Sequence, residues 1–106
     1  MPISTANPLI ISLPVVKTTP IAAGTVANTV IKGSPGIFYG ILVTSVGAGT
    51  PVVFDNATTN SGTPVGALGA SAVIGLSGAI PDGVQCLNGI TVAGGATNPA
   101  MTIYWN

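Results

Sequence analysis

From Val26 onward, apolar residues come in short runs, and each run is broken by Gly, Pro, Asn or Asp before it reaches the length of a stable helix. The runs are rich in Val, Ile, Thr and aromatic residues, which suit a pleated, half-buried surface. They predict strands over residues 26–32, 37–46, 51–55, 65–68, 73–76, 84–87, 90–93 and 100–105. Gly33-Ser34-Pro35-Gly36, Gly47-Ala48-Gly49, Pro81-Asp82-Gly83 and Asn88-Gly89 punctuate them as turns. Turn signals at such close intervals between β-branched runs are the mark of an all-β sandwich or barrel. The expectation is a single β-sandwich or jelly-roll-like domain of about seven or eight short antiparallel strands, with almost no helix.

Two of these runs carry information about their surroundings. Residues 37–46 are apolar on both parities, so the strand they form is expected to be covered on both faces, centrally in the domain or by a neighbouring subunit. The final run alternates instead: Met101, Ile103 and Trp105 share one face, expected to be core, and Thr102 and Tyr104 share the other.

The first 25 residues read differently. Pro2, Pro8, Pro14 and Pro20 recur every six residues. Each proline removes a backbone donor and fixes φ, so no helix forms across them. The chain therefore divides into an extended N-terminal arm, residues 1–25, and a sandwich domain, residues 26–106. Between the prolines lie Leu9, Ile10, Ile11, Leu13, Val15 and Val16, apolar residues that a solvated tail would not carry. These six are the candidate interface residues, laid on a partner chain. The alternative is that the arm packs on its own domain as an edge strand, a position that tolerates proline.

Charge sharpens the picture. Lys17, Lys32, Asp55 and Asp82 are the only charged side chains among 106 residues, His is absent, and net charge is zero. Ordinary soluble domains devote about a quarter of their residues to charge. With 47% hydrophobic residues and a mean hydropathy of +0.72, the chain is expected to live in an assembly that covers its surface. Two lysines and no arginine leave nothing to neutralise a phosphate backbone, so nucleic acid is not expected as a partner. The 26 residues between Asp55 and Asp82 are uncharged, but Gly and Ser dilute their aliphatics, and no membrane span or signal peptide is expected.

The same scarcity bears on chemistry. Without His or an acidic cluster there is no general base near neutral pH, and one Cys with two Asp supplies neither a zinc site nor a calcium loop. The Gly-rich stretches lack the ending of a phosphate-binding loop. Cys86, with no activating partner, reads as a small buried hydrophobe. No catalytic residue, metal or cofactor is expected, and the chain is not expected to be an enzyme.

Several segments, in order, resemble a recurrent family of small phage virion proteins. They are Ile31-Lys32-Gly33-Ser34-Pro35-Gly36-Ile37-Phe38-Tyr39-Gly40, Phe54-Asp55-Asn56, Ser61-Gly62-Thr63 and Asn88-Gly89-Ile90-Thr91-Val92. In that family a KGSPG-x-x-YG pattern, a DN turn, an SGT and an NGLTV run thread a β-sandwich found on capsids and tails. The resemblance covers roughly residues 26–105 and leaves the arm outside it. It implies a non-enzymatic bacteriophage virion protein, foremost a capsid decoration or cement protein. Such a protein is made in the host cytoplasm and carried on the capsid surface. Its expected partners are the major capsid protein, sister copies in a homotrimer or higher assembly, or both. Two other readings stand beside it: a virion knob or fibre that binds host glycans through Tyr39, Tyr104 and Trp105, and a self-assembling shell or tube subunit. Lys32 and Asp55 are either a charged pair of the fold or two solvated charges at strand ends.

Overall fold

The computed structural model describes residues 15–77 and 79–106. Wherever the turn residues interrupt the apolar runs, the chain reverses, and nine strands result: β1 (Lys17–Ile21), β2 (Thr29–Lys32), β3 (Gly36–Ser45), β4 (Val52–Asp55), β5 (Thr63–Ala67), β6 (Gly75–Ser77), β7 (Val84–Cys86), β8 (Ile90–Val92) and β9 (Ala100–Trp105). All pairings are antiparallel, and no residue described is helical. One sheet runs β1-β9-β3-β6, with β7 pairing the other half of the β3 edge that β6 occupies. The second runs β2-β8-β4-β5. Only the β4–β5 and β6–β7 connections stay within a sheet. Every other connection crosses between the layers, which is why turn chemistry is spread so evenly along the sequence.

Eight of the nine strands fall on the runs expected to form them. The ninth, β1, lies inside the segment assigned to the arm, and it corrects the boundary at residue 25. Lys17 to Ile21 pair in unbroken register with Trp105 to Met101, so these residues belong to the sandwich. The edge-strand alternative therefore holds for this part of the arm. Pro20 is tolerated because β1 is an edge strand with one unpaired side, and Pro64 in edge strand β5 is placed in the same way.

The inner faces of the sheets meet in a core of Phe38, Ile41, Val43, Val53, Ile90, Val92, Met101 and Ile103, with Cys86 and Leu68 at its margins. Met101 and Ile103 are buried as their alternation predicts. Trp105 is half-buried and packs against the cluster from its edge. Strand β3 departs from simple alternation. Phe38 and Ile41 are of opposite parity yet both face the core, because the register against β9 slips between Phe38 and Gly40 and leaves Tyr39 as an extra residue. Part of the two-sided apolarity of β3 is thus the trace of a bulge.

The two layers meet closely at Gly66 of β5. A Cβ there would stand 2.7 Å from the Phe38 ring, so glycine is what lets the ring approach that strand. Among the described residues Thr91 and Asn98 are the buried polar side chains, and both are satisfied. Thr91 Oγ1 donates to the Asn56 carbonyl at 2.8 Å, and Asn98 Nδ2 to the Ala93 carbonyl at 3.1 Å. Among the described residues no buried side-chain donor or acceptor lacks a partner.

Candidate functional site

On the outer face of the five-stranded sheet, apolar side chains continue where none of the described residues covers them. Tyr39 is turned outward by the bulge in β3. Leu42 of β3 stands opposite Leu76 of β6, and Tyr104 of β9 stands opposite Thr18 of β1. Val16, Tyr39, Leu76, Ile80 and Tyr104 together line an open groove of about 310 Å³. Leu76 is 58% exposed and Val16 47%. Both tyrosines are half-buried and form part of the groove wall. Among the described residues no charged side chain lines the groove. Val73 and Ile74, which lead into β6, are more exposed still.

The six candidate interface residues divide at the start of the described chain. Val15 and Val16 are both exposed, and Val16 forms part of the groove. Leu9, Ile10, Ile11 and Leu13 lie outside the described residues. The groove itself was not anticipated as a site. Its signal was present in the two-sided apolarity of the 37–46 run, but which of Tyr39, Leu42 and Tyr104 would point outward depended on the bulge and on the pairing partners.

The motif residues meet at one place elsewhere. At the end of β4 the Asp55 carboxylate accepts three backbone N–H bonds: from Leu87 at 3.1 Å, from Asn88 at 2.8 Å and from Gly89 at 3.3 Å. Asn56 shapes the next turn, its Oδ1 accepting from the N–H groups of Thr58 and Thr59 and its Nδ2 donating to the Ser61 carbonyl. Gly89 has φ +157°, and a Cβ on it would meet the Lys32 carbonyl oxygen at 2.6 Å and the Ala57 Cα at 2.8 Å. The end of β2, the β4–β5 turn and the crossing from β7 to β8 are therefore locked in contact. The Lys-Gly, Asp-Asn, Ser-Gly and Asn-Gly motifs build this joint, and their roles in it are structural. Partial burial works to raise the Asp55 pKa, but the bonds from Asn88, Leu87 and Gly89 outweigh it and hold the carboxyl below its ordinary value.

Lys32 turns to a different neighbour. Its Nζ lies 5.9 Å from the centroid of the Trp105 ring, and that of Lys17 lies 5.0 Å away. The indole Nε1 donates to Thr19 Oγ1 at 2.9 Å. Both lysines of the chain thus sit beside one aromatic ring.

Cys86 is fully buried, and its Sγ lies 3.7 Å from the Val84 carbonyl. Burial, and then the nearby negative charge of Asp55, push the thiol up to about 11 against an opposing backbone hydrogen bond from Phe38. At neutral pH the group is a protonated, enclosed thiol. Among the described residues no three of His, Cys, Asp and Glu come together, and no helix is long and apolar enough to cross a membrane. The chain matches no protein-family profile, no curated protein and no solved structure.

Proposed function

We propose that this protein is a structural component of a virion, a decoration or cement protein that binds a shell of major capsid protein and sister copies and stabilises it. The observation that carries the reading is the outer face of the β1-β9-β3-β6 sheet, which no described residue covers. Val16, Tyr39, Leu42, Leu76 and Tyr104 make an uncharged apolar surface that a free domain would leave in water. Extended apolar surfaces of this kind mark contact sites. With four charged side chains in all, the chain has little else to keep separate copies apart. The resemblance of its turn motifs to those of small phage virion proteins points to the same setting.

Purified protein mixed with shells that lack it should co-sediment with them at a fixed stoichiometry. Removal of residues 1–14, a cut that spares every described strand, should abolish binding while leaving the domain folded. Full occupancy by the truncated protein would remove the anchoring role of the arm. Failure of the intact protein to bind any shell would remove the decoration reading itself.

One observation favours a second reading. Tyr39 and Tyr104 share one open groove, and aromatic rings in a groove stack on sugar faces. The groove is poor in the polar partners that sugar hydroxyls need, which sets the glycan-binding knob behind the decoration protein. A glycan array on which the protein binds a defined sugar would reverse that order.

A further inference from the structure

We propose that Asn88-Gly89 is a latent deamidation site, kept intact in the folded protein because Asp55 holds the backbone nitrogen that would attack. The proposal goes beyond the assembly reading and does not rest on it.

The reaction needs nothing but the chain and water. The Gly89 nitrogen loses its proton and bonds to Asn88 Cγ. The Cγ–Nδ2 bond breaks, Nδ2 leaves as ammonia, and a cyclic succinimide remains. Water then opens the ring at either carbonyl and leaves aspartate or isoaspartate at residue 88, with nothing oxidised or reduced. Asn88 is the only asparagine of the sequence followed by glycine, whose nitrogen no side chain shields. Asn88 itself is exposed, so water reaches its amide, whereas Gly89 is buried.

Hydrogen bonding opposes the first step. The Gly89 N–H donates to Asp55 Oδ1 at 3.3 Å and the Asn88 N–H to the same oxygen at 2.8 Å, while the Leu87 N–H donates to Oδ2 at 3.1 Å. These bonds fix the peptide planes on both sides of Asn88. A hydrogen bond to the N–H form and a negative charge beside it both oppose loss of the Gly89 proton. Space opposes the step as well. A single carbon added to Gly89 Cα would stand 2.6 Å from the Lys32 carbonyl oxygen and 2.8 Å from the Ala57 Cα. The attacking nitrogen therefore cannot swing towards Cγ without moving the joint between the end of β2, the β4–β5 turn and the crossing from β7 to β8.

Either product would undo that joint. It sets a second carboxylate beside the one that the Asn88 N–H contacts, and isoaspartate adds a backbone carbon where there is no room for one. A copy that loses its fold is thereby marked by a covalent change that opposes its refolding.

Isoelectric focusing and peptide mass mapping at mildly alkaline pH test the proposal. One new carboxylate displaces the focused band clearly in a chain of zero formal net charge. Wild type in urea is expected to deamidate at Asn88 faster than the native protein by about tenfold or more, the factor one hydrogen bond to a charged group is worth. Asp55→Ala, shown to be folded by near-ultraviolet circular dichroism, is expected to react close to the unfolded rate. Should it not fold, Asp55→Asn, which keeps the shape and removes the charge, takes its place. Gly66→Ala, which weakens the core and keeps Asp55, is expected to stay as slow as native wild type. Native wild type that reacts at the unfolded rate, a folded Asp55 variant as slow as wild type, Gly66→Ala as fast as the Asp55 variant, or reaction in urea at asparagines other than Asn88 would each overturn the proposal.

Discussion

Asp55 at the end of β4 and Asn88 in the crossing from β7 to β8 are joined by a 2.8 Å hydrogen bond from the Asn88 backbone N–H to Asp55 Oδ1. The bond ties the end of an inner strand of one sheet to the chain that enters that sheet from the other, and the neighbouring N–H groups of Leu87 and Gly89 share the carboxylate. Hydrogen bonds to a charged acceptor contribute about 1.5–3 kcal/mol each in favourable settings, and solvent access at this turn puts the sum near the low end. Asp55→Ala should lower stability by about 1–3 kcal/mol in urea unfolding, because three N–H groups lose their acceptor. No measurable change would show that water replaces the carboxylate.

The same bonds give the protein an acid limb. The Asp55 carboxyl titrates lower in the folded chain than its ordinary 3.8, so the unfolded chain takes up this proton first as pH falls. The stabilisation is complete above that ordinary value and disappears as pH drops through the lower folded value. Unfolding free energy measured from neutral to strongly acidic pH should fall in this window, and Asp55→Asn should flatten the curve there.

Cys86 sets a corresponding alkaline limb. Its thiol is raised from 9.0 to about 11, so above pH 9 the unfolded chain releases a proton that the folded chain retains. Stability should therefore decline as pH rises from 9 towards 11, and Cys86→Ala should lose this dependence. A thiol reagent should leave the native protein unmodified near neutral pH and label it on unfolding. Rapid labelling of the native state would contradict the enclosed site.

Gly66 and Phe38 give a steric test of the core. A methyl at residue 66 would sit 2.7 Å from the ring, and overpacking of this kind costs about 1–3 kcal/mol. Gly66→Ala should be destabilised by that amount, and Phe38→Ala by about 3–5 kcal/mol. If Gly66→Ala combined with Phe38→Leu is no less stable than Phe38→Leu alone, the clash is with the ring; an equal loss in both backgrounds would place it elsewhere.

Assemblies built on this chain should respond weakly to salt. Four charged side chains give screening little to act on, and apolar burial carries the contact. Dissociation on moving from low to molar salt, with no effect of mild denaturant, would contradict an apolar interface.

The strand positions were legible in the sequence because they depend on local chemistry. A glycine or proline ends a strand wherever it stands, and the alternation of Met101 and Ile103 with Thr102 fixes a face without reference to any partner. The shortage of charge, and with it the expectation of a covered surface, was likewise a matter of composition. Three features depended on which strand meets which. Lys17–Ile21 became sandwich rather than arm because β9 offered a free edge. The register slip at Tyr39 turned one apolar side chain outward and kept both Phe38 and Ile41 inward, a choice that periodicity alone cannot encode. Asp55 and Asn88 are 33 residues apart, and Lys17 and Lys32 are 88 and 73 residues from the Trp105 ring they share. Such pairs form only after the two sheets have closed, because the contacts are non-local and their free energy comes from the packed whole. The local pattern chose the strands; the closing of the sandwich chose their neighbours, and with them the groove.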